Sequence, residues 1–161
     1  MEIAVYNVTV MNILSWYNKE ETRKKLNTLP LKLQWTIRKN MRAIEGAAKA
    51  FGEFREDLMR KRDEEWFTEG NGKCEKTMLT DADGNEREGF KILDEYQDAL
   101  KAYEDDINHQ LSEIALEKNT FEVIPLNFDE LVEIADECGA DLNMDDIDVL
   151  SPFEDKNEDK A

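Results

Sequence analysis

Apolar residues recur along this chain at helical rather than strand spacing over most of its length. From Leu31 to Trp66 no proline interrupts the pattern, and Ile37, Ile44, Phe51 and Leu58 follow one another every seven residues, with Met41 and Ala48 interleaved four residues on. That is the seam of a coiled-coil-like helix over 31–66, roughly 54 Å long at 1.5 Å per residue. A helix of that length needs a long antiparallel cover. The pattern offers one over 92–119, where Leu93, Leu100, Ile107 and Ile114 again recur every seven residues, with Tyr96 and Tyr103 as a second row. Between the two, the residues around Asp83-Gly84 are polar and flank short β-prone runs, which predicts a small β-hairpin over about 76–91.

The ends are shorter. A helix is predicted over 9–25, although Ile3, Val5 and Val8 also favour extended backbone near its start. Leu29-Pro30 stops it, because proline lacks a donor and biases its predecessor away from helix. Phe121 to Leu126 reads as an extended piece ended by Pro125. Helices follow over 128–138, closed by Gly139, and over 144–150; a charged tail over 154–161 is expected to be disordered. The fold class expected is therefore mainly α. It is a single helical domain over 1–153, built as a long antiparallel helical hairpin with a β-hairpin at its tip and a short C-terminal helical cap.

Charge sharpens this picture. The chain has 161 residues with 38 Asp and Glu against 21 Lys and Arg, a net charge of −17. Residues 1–66 carry a net +3, residues 67–128 a net −9 and residues 129–161 a net −11. Two long helices of opposite charge bias suit an antiparallel pair. The acid excess over Asp98, Asp105 and Asp106 is a candidate surface for a basic partner, set against the simpler reading of solubility. The run Arg60-Lys61-Arg62 is ringed by acids, so direct nucleic-acid binding is disfavoured. No run of 18 apolar residues occurs, no spanning segment is expected, and Met1-Glu2-Ile3-Ala4 lacks the basic start of a signal peptide.

Residues that could carry chemistry are few. Asp81, Asp83 and Asn85 open like a calcium loop, but Glu86 and Ile92 stand where the loop requires glycine and a bidentate glutamate, so a turn is predicted and no metal. Cys74 and Cys138 lie 64 residues apart without a metal-binding spacing and are expected as free thiols. His109 sits at helical spacing from Asp105 and Asp106 with no nucleophile pattern, which favours a solvated helix face over a base. Trp16, Trp35 and Trp66 are assigned to core or oligomer contacts ahead of a ligand pocket. No phosphate-binding loop, dinucleotide fingerprint, serine elbow or zinc-protease motif is present, so no cofactor and no enzymatic activity are expected.

One resemblance follows from the order of features. A short N-terminal helix precedes Leu29-Pro30-Leu31-Lys32-Leu33-Gln34-Trp35 and Ile37-Arg38-Lys39-Asn40. Phe54-Arg55-Glu56 then leads through a long charged helix to an Asp-Gly turn, and the chain closes with Phe121 to Leu126 and Leu142 to Leu150. This resembles a family of small phage and prophage proteins of Gram-positive bacteria that carries a domain of unknown function. The resemblance implies a phage origin and expression in the cytoplasm of a bacterial host, and it supplies no catalytic residues. The function expected is a non-enzymatic protein-binding module, an assembly or accessory virion factor whose partner is a phage structural protein. The alternative is an acidic inhibitor of a bacterial anti-phage defence system, occupying a nucleic-acid-binding or regulatory surface of a host defence protein. Homo-oligomerisation is expected through the seam residues Ile37, Ile44, Phe51, Leu58, Leu93, Leu100, Ile107 and Ile114.

Overall fold

The computed structural model describes residues 1–156. In chain order the elements are β1 (Glu2–Tyr6), α1 (Asn7–Tyr17), α2 (Glu20–Leu26), α3 (Leu31–Trp66), β2 (Cys74–Thr80), β3 (Glu86–Ile92), α4 (Gln97–Ala115), β4 (Lys118–Glu122), α5 (Phe128–Cys138) and α6 (Met144–Leu150). Single 3-10 turns stand at Asp94–Tyr96 and Ser151–Phe153. Among the described residues the fold is thus mixed α/β, with six helices and two antiparallel two-stranded sheets, β1–β4 and β2–β3. The expected mainly-α hairpin is corrected on that point.

The reason lies in which residues cover the long helix. The chain divides into two compact units, one built from Met1–Phe51 and the chain from Ala115 onward, the other from Gly52–Ile114. In the first unit, Ile37, Met41 and Ile44 of α3 are buried in one core with Val10, Ile13 and Trp16 of α1, Leu131 of α5 and Leu150 of α6. The first half of the seam is therefore covered by short elements from both ends of the chain. The 19-residue α4 is too short to cover a helix of 36 residues.

Two expected helices also change their bounds. In place of one helix over 9–25 there are two, because Asn18 closes α1 and the extended backbone of Lys19 (ψ 140°) starts α2. Glu20 and Glu21 then sit in the first turn of α2 and Arg23, Lys24 and Lys25 in its last, charges that complement the helix dipole. The turn lets Thr22 and Leu26 become buried. In place of a helix over 92–119, Ile92 ends β3 opposite Cys74, and α4 stops at Ala115 so that β4 can pair with β1 in register Glu2↔Glu122 to Tyr6↔Lys118. A backbone bond from Val123 N to Met1 O (2.9 Å) extends that ladder.

The β-hairpin expected over 76–91 is β2–β3, turning at Gly84 (φ 81°). Asp81 is engaged within the turn: its Oδ1 accepts the backbone N–H groups of Asp83 (3.0 Å) and Asn85 (2.8 Å). Of the expected tail, Glu154 bridges Leu126 and Asp155 N donates to Leu126 O (2.9 Å); residues 157–161 lie outside the described residues.

Unit 2 has a slender interior in which Trp66, Ile92 and Ile107 are buried. Within it Trp66 meets Tyr103 with ring centres 6.0 Å apart, and Arg62 reaches Glu104 at 3.7 Å. Leu58, Leu93, Leu100 and Ile114 are half-buried, while Phe51, at the end of unit 1, is buried.

Candidate functional site

A concavity opens in unit 1, where α2 folds back beside the first half of α3. Its floor is apolar, formed by Leu26, Ile37 and Met41, all nearly inaccessible. Its walls carry Arg23 from α2 and Arg38 and Arg42, one turn apart, from α3, with Tyr17, Asn18, Asn27, Gln34 and Glu45 completing a groove of about 430 Å³. Gln34 Nε2 donates to the carbonyls of Leu29 (2.7 Å) and Asn27 (3.1 Å), which pins the connecting loop to α3 and fixes one end of the groove. Arg23 donates to Asn18 Oδ1 at 3.3 Å. Among the described residues, none of the three guanidinium groups has a carboxylate partner within ion-pair distance.

The α2 wall has seven residues, too few to hold itself in place. It is held from behind by Asp146, which is 6% exposed. Trp16 Nε1 donates to Asp146 Oδ1 (2.8 Å), and Lys25 Nζ (2.9 Å) and Asn143 N (3.0 Å) donate to Oδ2. One carboxylate thereby joins α1, α2 and the capping box of α6, whose other half is Asp146 N donating to Asn143 Oδ1. Burial pushes the Asp146 carboxyl up, but the donors from Trp16, Asn143 and Lys25 outweigh it, and the group titrates below its ordinary value of 3.8. The bond to Asp146 raises Lys25 above its ordinary value. On the other side of α3, Asn40 is buried and behaves like a strand residue: its Nδ2 donates to Ile124 O (2.8 Å) and its Oδ1 accepts from Ile124 N (2.7 Å).

Next to the basic groove, the first turns of α3 expose large apolar side chains. Leu31 is 82% exposed and Trp35 54%, one turn apart, around a hollow of about 350 Å³ shared with Gln34 and Arg38. Lys39 Nζ lies 5.7 Å from the Trp35 ring centre. A second hollow of about 410 Å³ is lined by Leu33, Pro125, Leu131 and Ile134 among others.

The residues singled out from sequence are distributed rather than gathered. Ile37 and Ile44 lie in the unit 1 core and Ile107 in the interior of unit 2. Asp98, Asp105 and Asp106 are exposed on α4, where Asp106 accepts a bond from Gln110 (2.8 Å). His109 is exposed and 3.1 Å from Glu113. Trp16 and Trp66 are buried, but Trp35 is not. Cys74 and Cys138 are free. Among the described residues no group of His, Cys, Asp and Glu is placed to hold a metal ion, and no helix is long and apolar enough to cross a membrane. The arginine groove escaped sequence reasoning because Arg23 meets Arg38 and Arg42 only after α2 folds back. The i, i+4 spacing of Arg38 and Arg42 beside Ile37 and Met41 was the one local signal of it. No family model, curated protein or solved structure matches this chain.

Proposed function

We propose that the chain is a non-enzymatic protein-binding module of phage or prophage origin, acting in the cytoplasm of a bacterial host as an assembly or accessory virion factor. The observation that carries the reading is the solvent-exposed pair Leu31 and Trp35 at the start of α3. Tryptophan is enriched among the few residues that dominate binding energy at protein interfaces, and a half-exposed indole beside an exposed leucine and an arginine makes such an anchor. The side chains with the greatest chemical potential support the same reading. Asp146 is engaged by three donors in holding the helices together, and His109 pairs with Glu113 at the surface.

The test is a side-by-side capture from phage-infected Gram-positive cells with tagged wild-type chain and the Leu31→Asp/Trp35→Asp variant. Both side chains are exposed, so the variant should keep its melting temperature. A phage structural protein held by the wild type and lost by the variant supports the proposal, and identical capture by both chains refutes it. Self-association is part of the same reading, and light scattering that returns 18.8 kDa across micromolar concentrations removes it.

A second reading is favoured by the exposure of Asp98, Asp105 and Asp106 on one helix of unit 2. As an inhibitor occupying a nucleic-acid-binding surface of a host defence protein, the chain would lose affinity steeply with salt. Charge reversal at the three aspartates would abolish that binding. Docking through Leu31 and Trp35 responds weakly to both.

A further inference from the structure

We propose that the groove between α2 and the first half of α3 is a binding site for a phosphorylated organic anion. Three features converge on that class of ligand. The first is charge. Several cations elsewhere in the chain are paired: Lys24 with Glu20 (3.4 Å), Lys25 with Asp146 (2.9 Å), Arg60 with Asp57 (3.0 Å), Lys73 with Glu65 (3.5 Å) and Lys76 with Glu69 (3.3 Å). In a chain with 38 acidic residues, Arg23, Arg38 and Arg42 nevertheless line a single concavity, and no carboxylate pairs with them among the described residues. Guanidinium forks match phosphate oxygens in bidentate geometry, and two walls of the groove supply them. The net negative charge of the chain does not prevent this, because screening at physiological salt limits remote acids to a range of about 8 Å.

The second feature is shape. A volume of about 430 Å³ exceeds what inorganic phosphate needs and falls in the range of small-molecule sites, roughly 300–1,000 Å³. The third is the rim. The half-buried Tyr17 ring borders the groove and offers an apolar surface to the body of an ester. Asn18, Asn27 and the Glu45 carboxylate provide polar groups for the neutral donors and acceptors of that body. A bare anion would leave the Tyr17 ring and these polar groups unused.

The experiment is a calorimetric titration of the full chain with ATP, glucose 6-phosphate, pyrophosphate and inorganic phosphate, in chelator and at physiological salt. At least one of the two esters is expected to bind about tenfold or more tightly than inorganic phosphate, and the tighter ester identifies the body as nucleotide or sugar. Arg38→Gln/Arg42→Gln should weaken that ester by about tenfold or more, whereas Lys49→Gln, on α3 outside the groove, should change it by less than about twofold. Circular dichroism establishes that the double variant is folded. No binding of either ester up to about 5 mM overturns the proposal, as does unchanged affinity in the double variant. Pyrophosphate binding as tightly as both esters overturns the part assigned to the body of the ester.

Discussion

Removing the Asp146 carboxylate tests how the N-terminal helices are held. In Asp146→Ala the buried indole N–H of Trp16 loses its hydrogen-bond acceptor, a loss that costs about 1–3 kcal/mol. The backbone N–H of Asn143 loses its partner in the α6 capping box, worth about 0.5–1 kcal/mol. Relief of the carboxylate's desolvation works in the opposite direction. The expected loss is about 2–4 kcal/mol, measured by urea unfolding followed by circular dichroism. Trp16→Phe and the double variant complete a cycle, and the two side chains should be coupled by about 1 kcal/mol. Acid titration adds a signature. The folded-state pKa of Asp146 lies below 3.8, so its contribution is fully present above that value and is lost as pH falls through the folded pKa. The stability gap between wild type and Asp146→Ala should therefore narrow in acid. A loss under about 0.5 kcal/mol, or additive single variants, would refute this account.

Other predictions concern single contacts. Asn40→Ala removes both bonds to the Ile124 backbone and should destabilise unit 1 by about 1–3 kcal/mol in the same urea assay, without changing the slope. Gly139→Ala places a side chain at φ 73° after α5 and should cost about 1 kcal/mol, visible as a lower midpoint in thermal melts. Gly89→Ala drives a Cβ into the Leu79 side chain, so Leu79 must swing away; amide exchange in β2 and β3 should accelerate while that of α1 and α6 stays unchanged.

Where the sequence announces an element locally, it is readable. α3 follows Pro30 and runs to Trp66 as its uninterrupted pattern predicts. α5 has Asn127, whose side chain accepts from Glu130 N, at one end and Gly139 at the other, and α6 carries its own capping box. What the pattern conceals is partnership. A seven-residue spacing states that Ile37 and Ile44 need cover but not which residues supply it, and α1, α5 and α6 do so in place of α4. The spacing also carries from Leu93, just past β3, across a 3-10 turn to Ile114, so regular apolar spacing conceals a change of backbone. The β1–β4 ladder joins residues 112 to 120 positions apart, beyond the reach of any local rule. The groove shares this fate, because its α2 wall is fixed by Asp146, 121 residues from Lys25.

That ladder also sets an order of events during synthesis. A ribosome adds about 5–20 residues per second, so Glu2 is made about 6–24 seconds before Glu122 exists to pair with it. Every residue of unit 2 is made in that interval and can join β2 to β3 while β1 still has an open edge. Translation halted after Ile114 but before β4 would release a chain with a finished insert and an unfinished host.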